Sequence, residues 1–173
     1  MRLHEEKGAD FIPQFAGRLL PAFPRLHLLI GGVGPLAQGL QEQIGAAEYN
    51  GRVHWVGWDN EAPVFLSACD FFWSLSREES FPQTLVEASA MGLPWIAPDV
   101  GGVSDLRQTG AAGLLFQRLN LREAAEKAAD LLQQLGPLTE RARQAVAPVC
   151  AQYALAKMVE RVYGVFERFS GRV

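Results

Sequence analysis

Glu79 and Glu87 stand eight positions apart in Glu79-Ser80-Phe81-Pro82-Gln83-Thr84-Leu85-Val86-Glu87. An apolar run, Phe71-Phe72-Trp73-Ser74-Leu75, precedes this stretch, and Ala88-Ser89-Ala90-Met91-Gly92-Leu93-Pro94 follows it. The order predicts a strand, a polar loop, and a helix with Pro82 near its first position, where a missing N–H costs nothing. Free amides at such a helix start form an anion site. One carboxylate sits before the helix and the other about a turn and a half inside it. Amides that hold a phosphate, flanked by two acceptors for hydroxyls, describe a pocket for a sugar attached to a nucleotide diphosphate. Carboxylates near a helix start also suit the dipole with no ligand at all. The flanking Ser80-Phe81-Pro82 and the exit Gly92-Leu93-Pro94 favour the pocket. Two glycosidase acids would need an open saccharide cleft between them, of which the chain gives no sign.

Arg2 and Lys7, five apart on a segment just before a helix, can clamp the oxygens of a diphosphate, arginine as a fork and lysine as a point charge. Solvated surface charge is the plainer account of the pair taken alone. Gly31-Gly32-Val33-Gly34-Pro35 follows a strand, and Gly32, Gly34 and Ala37 fit the spacing of a dinucleotide fingerprint. The ribose-binding acid expected about twenty residues on falls instead within a strand, with Glu48 and Asp59 the nearest candidates. A glycine-rich turn that lets a ligand approach is the better reading. Pro98-Asp99-Val100-Gly101-Gly102-Val103-Ser104-Asp105 follows another strand and would form a second wall of the same pocket. Trp55 and Trp58 either border a base or pack in the core. His4, His27 and His54 are scattered without metal-ligand spacing. Cys69 reads as a buried, inert thiol and, with Cys150, makes no metal or disulfide pattern. No G-x-S-x-G, Walker or zinc pattern is present.

These residues need a scaffold that brings loops together. Short apolar runs alternate with helical patterns: strands at Leu26–Ile30, Val53–Val56, Phe71–Leu75, Pro94–Ala97 and Gly113–Phe116, and helices at Leu36 to about Glu48, Ala62–Ser67, Pro82–Met91 and Leu121 to about Leu135, the last capped by Asn120. Asn50-Gly51 marks a turn needing positive φ. The alternation predicts an α/β fold, a doubly wound Rossmann-like parallel sheet with helices on both faces, whose ligand lies outside the carboxyl ends of the strands. Every motif above falls at such an end. A terminal helix over about 151–169 carries Leu155, Val159, Val162, Phe166 and Phe169 on one stripe, which packs on this domain's core or covers another domain or chain. The chain has 173 residues, one domain's worth, with 49% hydrophobic and 20% charged residues and a net charge of −3. That balance gives no footprint for nucleic acid or an anionic membrane. No segment has the apolar length of a bilayer span and the N-terminus has no apolar signal region, so the expectation is a cytoplasmic protein.

In this order the motifs resemble the C-terminal, donor-binding half of retaining glycosyltransferases of the GT-B architecture, family 4 in particular. The resemblance covers nearly the whole chain. It rests on Lys7-Gly8, Leu28-Leu29-Ile30-Gly31-Gly32-Val33-Gly34-Pro35, Val53-His54-Trp55-Val56-Gly57-Trp58, Ala68-Cys69-Asp70, Glu79 through Glu87, Gly92-Leu93-Pro94 and Gly101-Gly102, and ends on a closing helix containing Tyr163. The resemblance implies that Arg2 and Lys7 hold the donor pyrophosphate and stabilise the leaving group, as a metal does in other transferases. Amides of Gln83, Thr84 and Leu85 would add to that site, with Ser80, Phe81, Pro82 and Gly34 lining it. Glu87 would accept from the ribose hydroxyls and Glu79 from those of the transferred sugar. It implies retention through an oxocarbenium-like transition state, no metal, no cofactor, and a nucleotide-diphosphate sugar as donor.

The same family carries an N-terminal acceptor domain, which this sequence lacks, together with the strand expected before Arg2. In the doubly wound order that first strand is central. Its deletion would leave two edges of unpaired groups inside the sheet. The expectation is a piece of a longer protein, or a chain whose partner supplies the missing parts, inactive alone because acceptor recognition and water exclusion are lost. Contact with the inner membrane face would come only through the absent parts. The rival expectation is a non-catalytic nucleotide-binding or assembly subunit that associates, with itself or a partner, through its terminal helix. A nicotinamide-dependent enzyme is a third.

Overall fold

Two short parallel sheets carry the chain where one was expected. The computed structural model describes residues 2–46, 51–57 and 62–170. Strand β1 (Leu28–Gly31) pairs with β2 (Val53–Gly57), Leu28 opposite Val53 and Ile30 opposite Trp55. Strands β3 (Phe72–Trp73), β4 (Trp95–Pro98) and β5 (Gly113–Phe116) form the second sheet in that order. Among the described residues no ladder joins the two, and β1 and β3 border a common cavity. Arg2 makes an isolated parallel bridge to Val33, just beyond the end of β1.

Helices cover both faces: α1 (Ile12–Leu19), α2 (Ala37–Ala46), α3 (Ala62–Ser67), α4 (Gln83–Ala90), α5 (Val103–Gln108), α6 (Leu121–Gln133), α7 (Leu135–Tyr153) and α8 (Leu155–Ser170). Side chains alternate across a strand, so β4 feeds two cores. Ile96 joins Phe15, Leu19, Ala128 and Leu131 of α1 and α6, while Trp95 and Ala97 join Leu85, Val103, Leu106 and Val149 of α4, α5 and α7. All four β4 residues are buried, as a strand covered on both faces requires. The Trp95 indole Nε1 donates to Ser89 Oγ (2.8 Å), which donates to the Leu85 carbonyl (2.7 Å). This relay satisfies a fully buried indole N–H and ties α4 to the sheet.

Element ends moved for local reasons. The Phe71–Leu75 run yields a strand only at Phe72–Trp73, because the chain leaves β4 after the Ser74 amide bonds the Ile96 carbonyl. Asn120 caps α6, its Oδ1 accepting from the Glu123 amide at 3.1 Å. The terminal helix expected from residue 151 is split by Ala154, whose extended backbone (φ −59°, ψ 139°) ends α7 and lets α8 start at Leu155. The stripe on α8 does not enter the core: Leu155, Val159, Val162, Phe166 and Phe169 are 40–70% exposed. Trp55 packs beside the cluster of Leu3, Ile12, Ile30 and Leu40. Gly51 has the positive φ expected of it (67°), whereas Asn50, Glu48, Trp58 and Asp59 lie outside the described residues. Among the described residues no helix is long and apolar enough to cross a membrane.

Candidate functional site

Three segments meet around Glu79, two of them loops that follow β3 and β4. The first runs from Arg2 to Lys7. Leu3 is fully buried, and its amide donates to the Val33 carbonyl at 2.8 Å. Gly34 makes that seat possible, because a Cβ there would lie 2.4 Å from the Leu3 carbonyl oxygen. Gly34 thus admits the chain's own backbone, and Arg2 and Gly34 meet through Leu3. A 3-10 turn over Glu5–Lys7 then ends at Gly8 (φ 65°), which packs so closely on the Leu75 carbonyl that a Cβ would stand 2.0 Å from its oxygen. Only glycine satisfies both the left-handed backbone and that approach.

This seat delivers Lys7 to the second loop. Its Nζ lies 2.6 Å from Glu79 Oε2, with the two side chains 25% and 15% exposed. Ser76, buried beside them, points its hydroxyl at the same oxygen from 3.5 Å and receives a hydrogen bond from Ser74 Oγ (3.2 Å). Arg77 locks the two loops together. Its guanidinium grips Asp10 through paired bonds of 2.7 and 2.6 Å, donates to the Glu5 carbonyl, and stacks over the Phe11 ring at 4.2 Å. Its amide donates to the Glu6 carbonyl at 2.8 Å. The hydrogen bonds from Arg77 hold the Asp10 carboxyl below the usual carboxylate range against the opposing effect of burial, and Asp10 in turn raises the Arg77 value. Sequence reasoning missed this clamp, since the partners are 67 positions apart and no local pattern links them.

The third loop supports Glu79 from behind. The Gly102 amide donates to the Glu79 carbonyl at 3.1 Å, and Gly101 (φ 48°) presses on the same oxygen. The segment read as a second wall is therefore in backbone contact with the first. Pro82 is the N-cap residue of α4, one position earlier than its expected place inside the helix. The Gln83 amide turns back to the Phe81 carbonyl (2.8 Å), which leaves Thr84 and Leu85 as the forward amides of the first turn. Ser80 is exposed, and Phe81, half-exposed, packs edge-on against Tyr153 at 5.8 Å between ring centroids. Glu87 accepts from Gln83 Nε2 at 3.1 Å, outside the Lys7–Glu79 pair. The structure thus unites Lys7 with Glu79 directly, and Arg2 with Gly34 through Leu3. Cys69 is half-buried, its thiol pushed up by burial and then by Asp70, and it donates to the Phe65 carbonyl. Among the described residues no group of three or more His, Cys, Asp or Glu side chains is placed to hold a metal ion.

An ammonium–carboxylate pair joins two loops of this α/β fold. Residues 1–147 match the model of the glycosyl transferases group 1. The chain belongs to that family. It is 27% identical over 173 residues to the lipopolysaccharide core biosynthesis mannosyltransferase LpsB of Rhizobium meliloti, covering 96% of this chain and 49% of that protein. It is 34% identical over 129 residues to a GDP-mannose-dependent alpha-mannosyltransferase of Corynebacterium glutamicum, covering 75% and 29%. Among solved structures it resembles Anabaena Alr3699/HepE in complex with UDP and glucose (TM-score 0.82, 22% identity, 96% of this chain, 46% of that one). It also resembles TarM (TM-score 0.85, 20% identity, 96% and 34%). These likenesses establish the GT-B Rossmann-like glycosyltransferase fold. The group 1 chain spans about half or less of the length of these relatives.

Proposed function

We propose that this chain is the donor-binding domain of a family 4, retaining hexosyltransferase that uses a nucleotide-diphosphate sugar without a metal ion. The observation that carries the reading is the 2.6 Å pair of Lys7 and Glu79. Its two members are the groups that a diphosphate and a sugar hydroxyl would each engage. Lys7, with Arg2 and the amides of Thr84 and Leu85, holds the pyrophosphate, while Glu79 accepts from hydroxyls of the transferred sugar and Glu87 from those of the ribose. The anomeric C–O bond breaks and its electron pair passes to the departing phosphate oxygen, whose charge the ammonium and amides stabilise. The acceptor oxygen bonds to the same face of the sugar, and its proton leaves with that phosphate. The GDP-mannose dependence of the Corynebacterium relative and the UDP complex of the Anabaena neighbour support a nucleotide donor. Acceptor recognition belongs to parts of the protein outside these residues.

Calorimetric titration with UDP-, GDP- and ADP-sugars tests the reading. Lys7→Ala weakens diphosphate ligands by about 1.5–3 kcal/mol, the worth of a charge-assisted hydrogen bond, and leaves nucleosides nearly unaffected. Glu87→Ala weakens ribonucleotides and spares their 2′,3′-dideoxy counterparts. Equal losses for both members of either ligand pair contradict the assignment. The exposed apolar stripe of α8 favours one second reading, an assembly subunit that associates through this helix. Light scattering separates the two: a tight oligomer that loses nucleotide binding on assembly supports the second.

A further inference from the structure

We infer that Tyr153 is a positioning residue for the donor site: its ring, packed on Phe81, holds the loop that leads into α4 and, with it, the forward amides of Thr84 and Leu85. The inference rests on the donor-site reading for its effect on binding, and on packing alone for its effect on the loop. Helix α7 runs antiparallel along α4. Gly92, just past the end of α4, lies against Arg143 and Val146, whereas Leu85 in the first turn of α4 shares a buried cluster with Val149. The last turn of α7 therefore arrives where α4 begins. Tyr153 follows Val149 by four positions, so it lies on the helix face that Val149 buries completely. It packs on the same cluster, which also contains Val103 and Leu106 of α5. Ala154 then leaves the helix, so Tyr153 is the final side chain that α7 brings to this corner.

The loop is held by two kinds of contact. Its backbone rests on Gly102, whose amide donates to the Glu79 carbonyl at 3.1 Å. A Cβ on Gly102 would stand 2.9 Å from the Ser80 carbonyl oxygen and 3.3 Å from Pro82 Cδ. Phe81 lies between those contacts and is 56% exposed. Tyr153 meets it edge-on, with ring centroids 5.8 Å apart and planes at 64°, an arrangement that aromatic pairs favour. Local capping adds little, because α4 has no side-chain cap and the Gln83 amide turns back to the Phe81 carbonyl. The direction of the first amides thus follows the placement of residue 81. Burial, and then the charge of Asp105, raise the Tyr153 phenol above its ordinary value against the opposing Arg161 of α8, so the side chain is neutral at pH 7. The ring, and not the hydroxyl, reaches Phe81. Fixing the amides beforehand favours the ligand, because loop ordering on binding is subtracted from affinity.

The test uses the full chain with Tyr153→Ala, Tyr153→Phe and Phe81→Ala, read by residue-resolved hydrogen exchange and by calorimetric titration with UDP-glucose and GDP-mannose. The amides of Gln83, Val86 and Gly102 report on the loop, since they bond the Phe81, Pro82 and Glu79 carbonyls. Those of Leu28 and Ala124, bonded to the Arg52 and Asn120 carbonyls, report on the rest of the fold. Tyr153→Ala is expected to speed exchange at the three loop amides about tenfold while the two reference amides keep their rates, and to weaken whichever nucleotide sugar binds about tenfold. Tyr153→Phe, which keeps the ring, should restore both readouts. Phe81→Ala should match Tyr153→Ala, and the double variant should be no worse than either single one. Phe81 is exposed, so its replacement decides the matter even where Tyr153→Ala does not fold. Unchanged loop exchange, equal acceleration at loop and reference amides, a Tyr153→Phe variant as impaired as Tyr153→Ala, or faster loop exchange with full affinity each overturn the inference. Failure of the unsubstituted chain to bind either nucleotide sugar overturns the donor-site reading instead, and the exchange rates then decide the contact alone.

Discussion

Replacing Gly101 by alanine tests whether the loop before α5 sets the position of Glu79. A Cβ at residue 101 would stand 1.8 Å from the Glu79 carbonyl oxygen and 2.8 Å from its carbon, and φ is 48°. Carbon–oxygen contacts settle near 3.3–3.6 Å, so one backbone must retreat by about 1.5 Å. Two costs follow. The left-handed backbone costs a non-glycine residue about 1–2 kcal/mol, wherever it occurs. The retreat displaces Glu79 from Lys7, and a misplacement of about 1 Å can lower a catalytic rate by about 10²-fold. Gly51→Ala separates the two, because Gly51 has a similar φ of 67° and nothing within 4 Å of its Cβ position. Both variants should lose similar thermal stability from the backbone term, with Gly101→Ala losing more. Only Gly101→Ala should lose nucleotide-sugar affinity, by about tenfold or more, measured by titration calorimetry at a temperature where both are folded by circular dichroism. Equal affinities for the two variants would refute the claim that this contact positions Glu79.

Two further predictions concern the framework. Because Arg77 depresses the Asp10 carboxyl, the stability that this pair contributes is present above the carboxylate's ordinary value of 3.8 and is lost as pH falls through its lower folded value. The melting-point gap between the protein and Asp10→Asn should therefore close on acidification below that value, and a constant or widening gap would contradict the assignment. Ser89→Ala leaves the buried Trp95 indole without an acceptor and should cost about 1–3 kcal/mol, read as a lowered melting midpoint. Trp95→Phe combined with it should cost less than the sum of the two single changes, and strict additivity would show that the relay carries no coupling.

What could be read from the sequence is what is written in local pattern. Gly113–Phe116, Ala62–Ser67 and the Asn120 cap are each decided by neighbours within a few positions, so periodicity and cap chemistry located them. The Lys7–Glu79 pair was legible only in part. The residue types were evident, but their meeting depends on Gly8 seating against Leu75, a contact across the fold. Arg77 and Asp10 left no trace in spacing, since an ion pair between distant loops has no period. Gly34 had a signal that pointed elsewhere: a glycine turn after a strand suggests a ligand, yet the close approach it permits is by Leu3. Helices α5 and α7 went unread for different reasons. Helix α5 starts straight after Gly101-Gly102, which reads as a ligand-facing loop, and α7 contains Pro148, which normally argues for a helix end.

The clamp and the site share one segment, and this sets how firmly Lys7 is held. Leu3, the 3-10 turn and Lys7 are held on one side by the Val33 bridge and on the other by the Arg77 clamp. Neither anchor belongs to a sheet ladder longer than a single bridge. A cation that must hold a diphosphate benefits from a rigid approach, because side-chain and loop ordering is subtracted from binding energy. The Arg77 clamp and the Leu3 seat supply that rigidity, for Arg77 ties the Glu5–Lys7 turn and Asp10 to the loop that carries Glu79. Arg77→Ala should therefore weaken nucleotide-sugar binding as well as lower the melting midpoint. Combined with Lys7→Ala, it should lower the midpoint further and cost less affinity than the sum of the two single changes. Strict additivity in affinity would mean that the clamp does not act through Lys7.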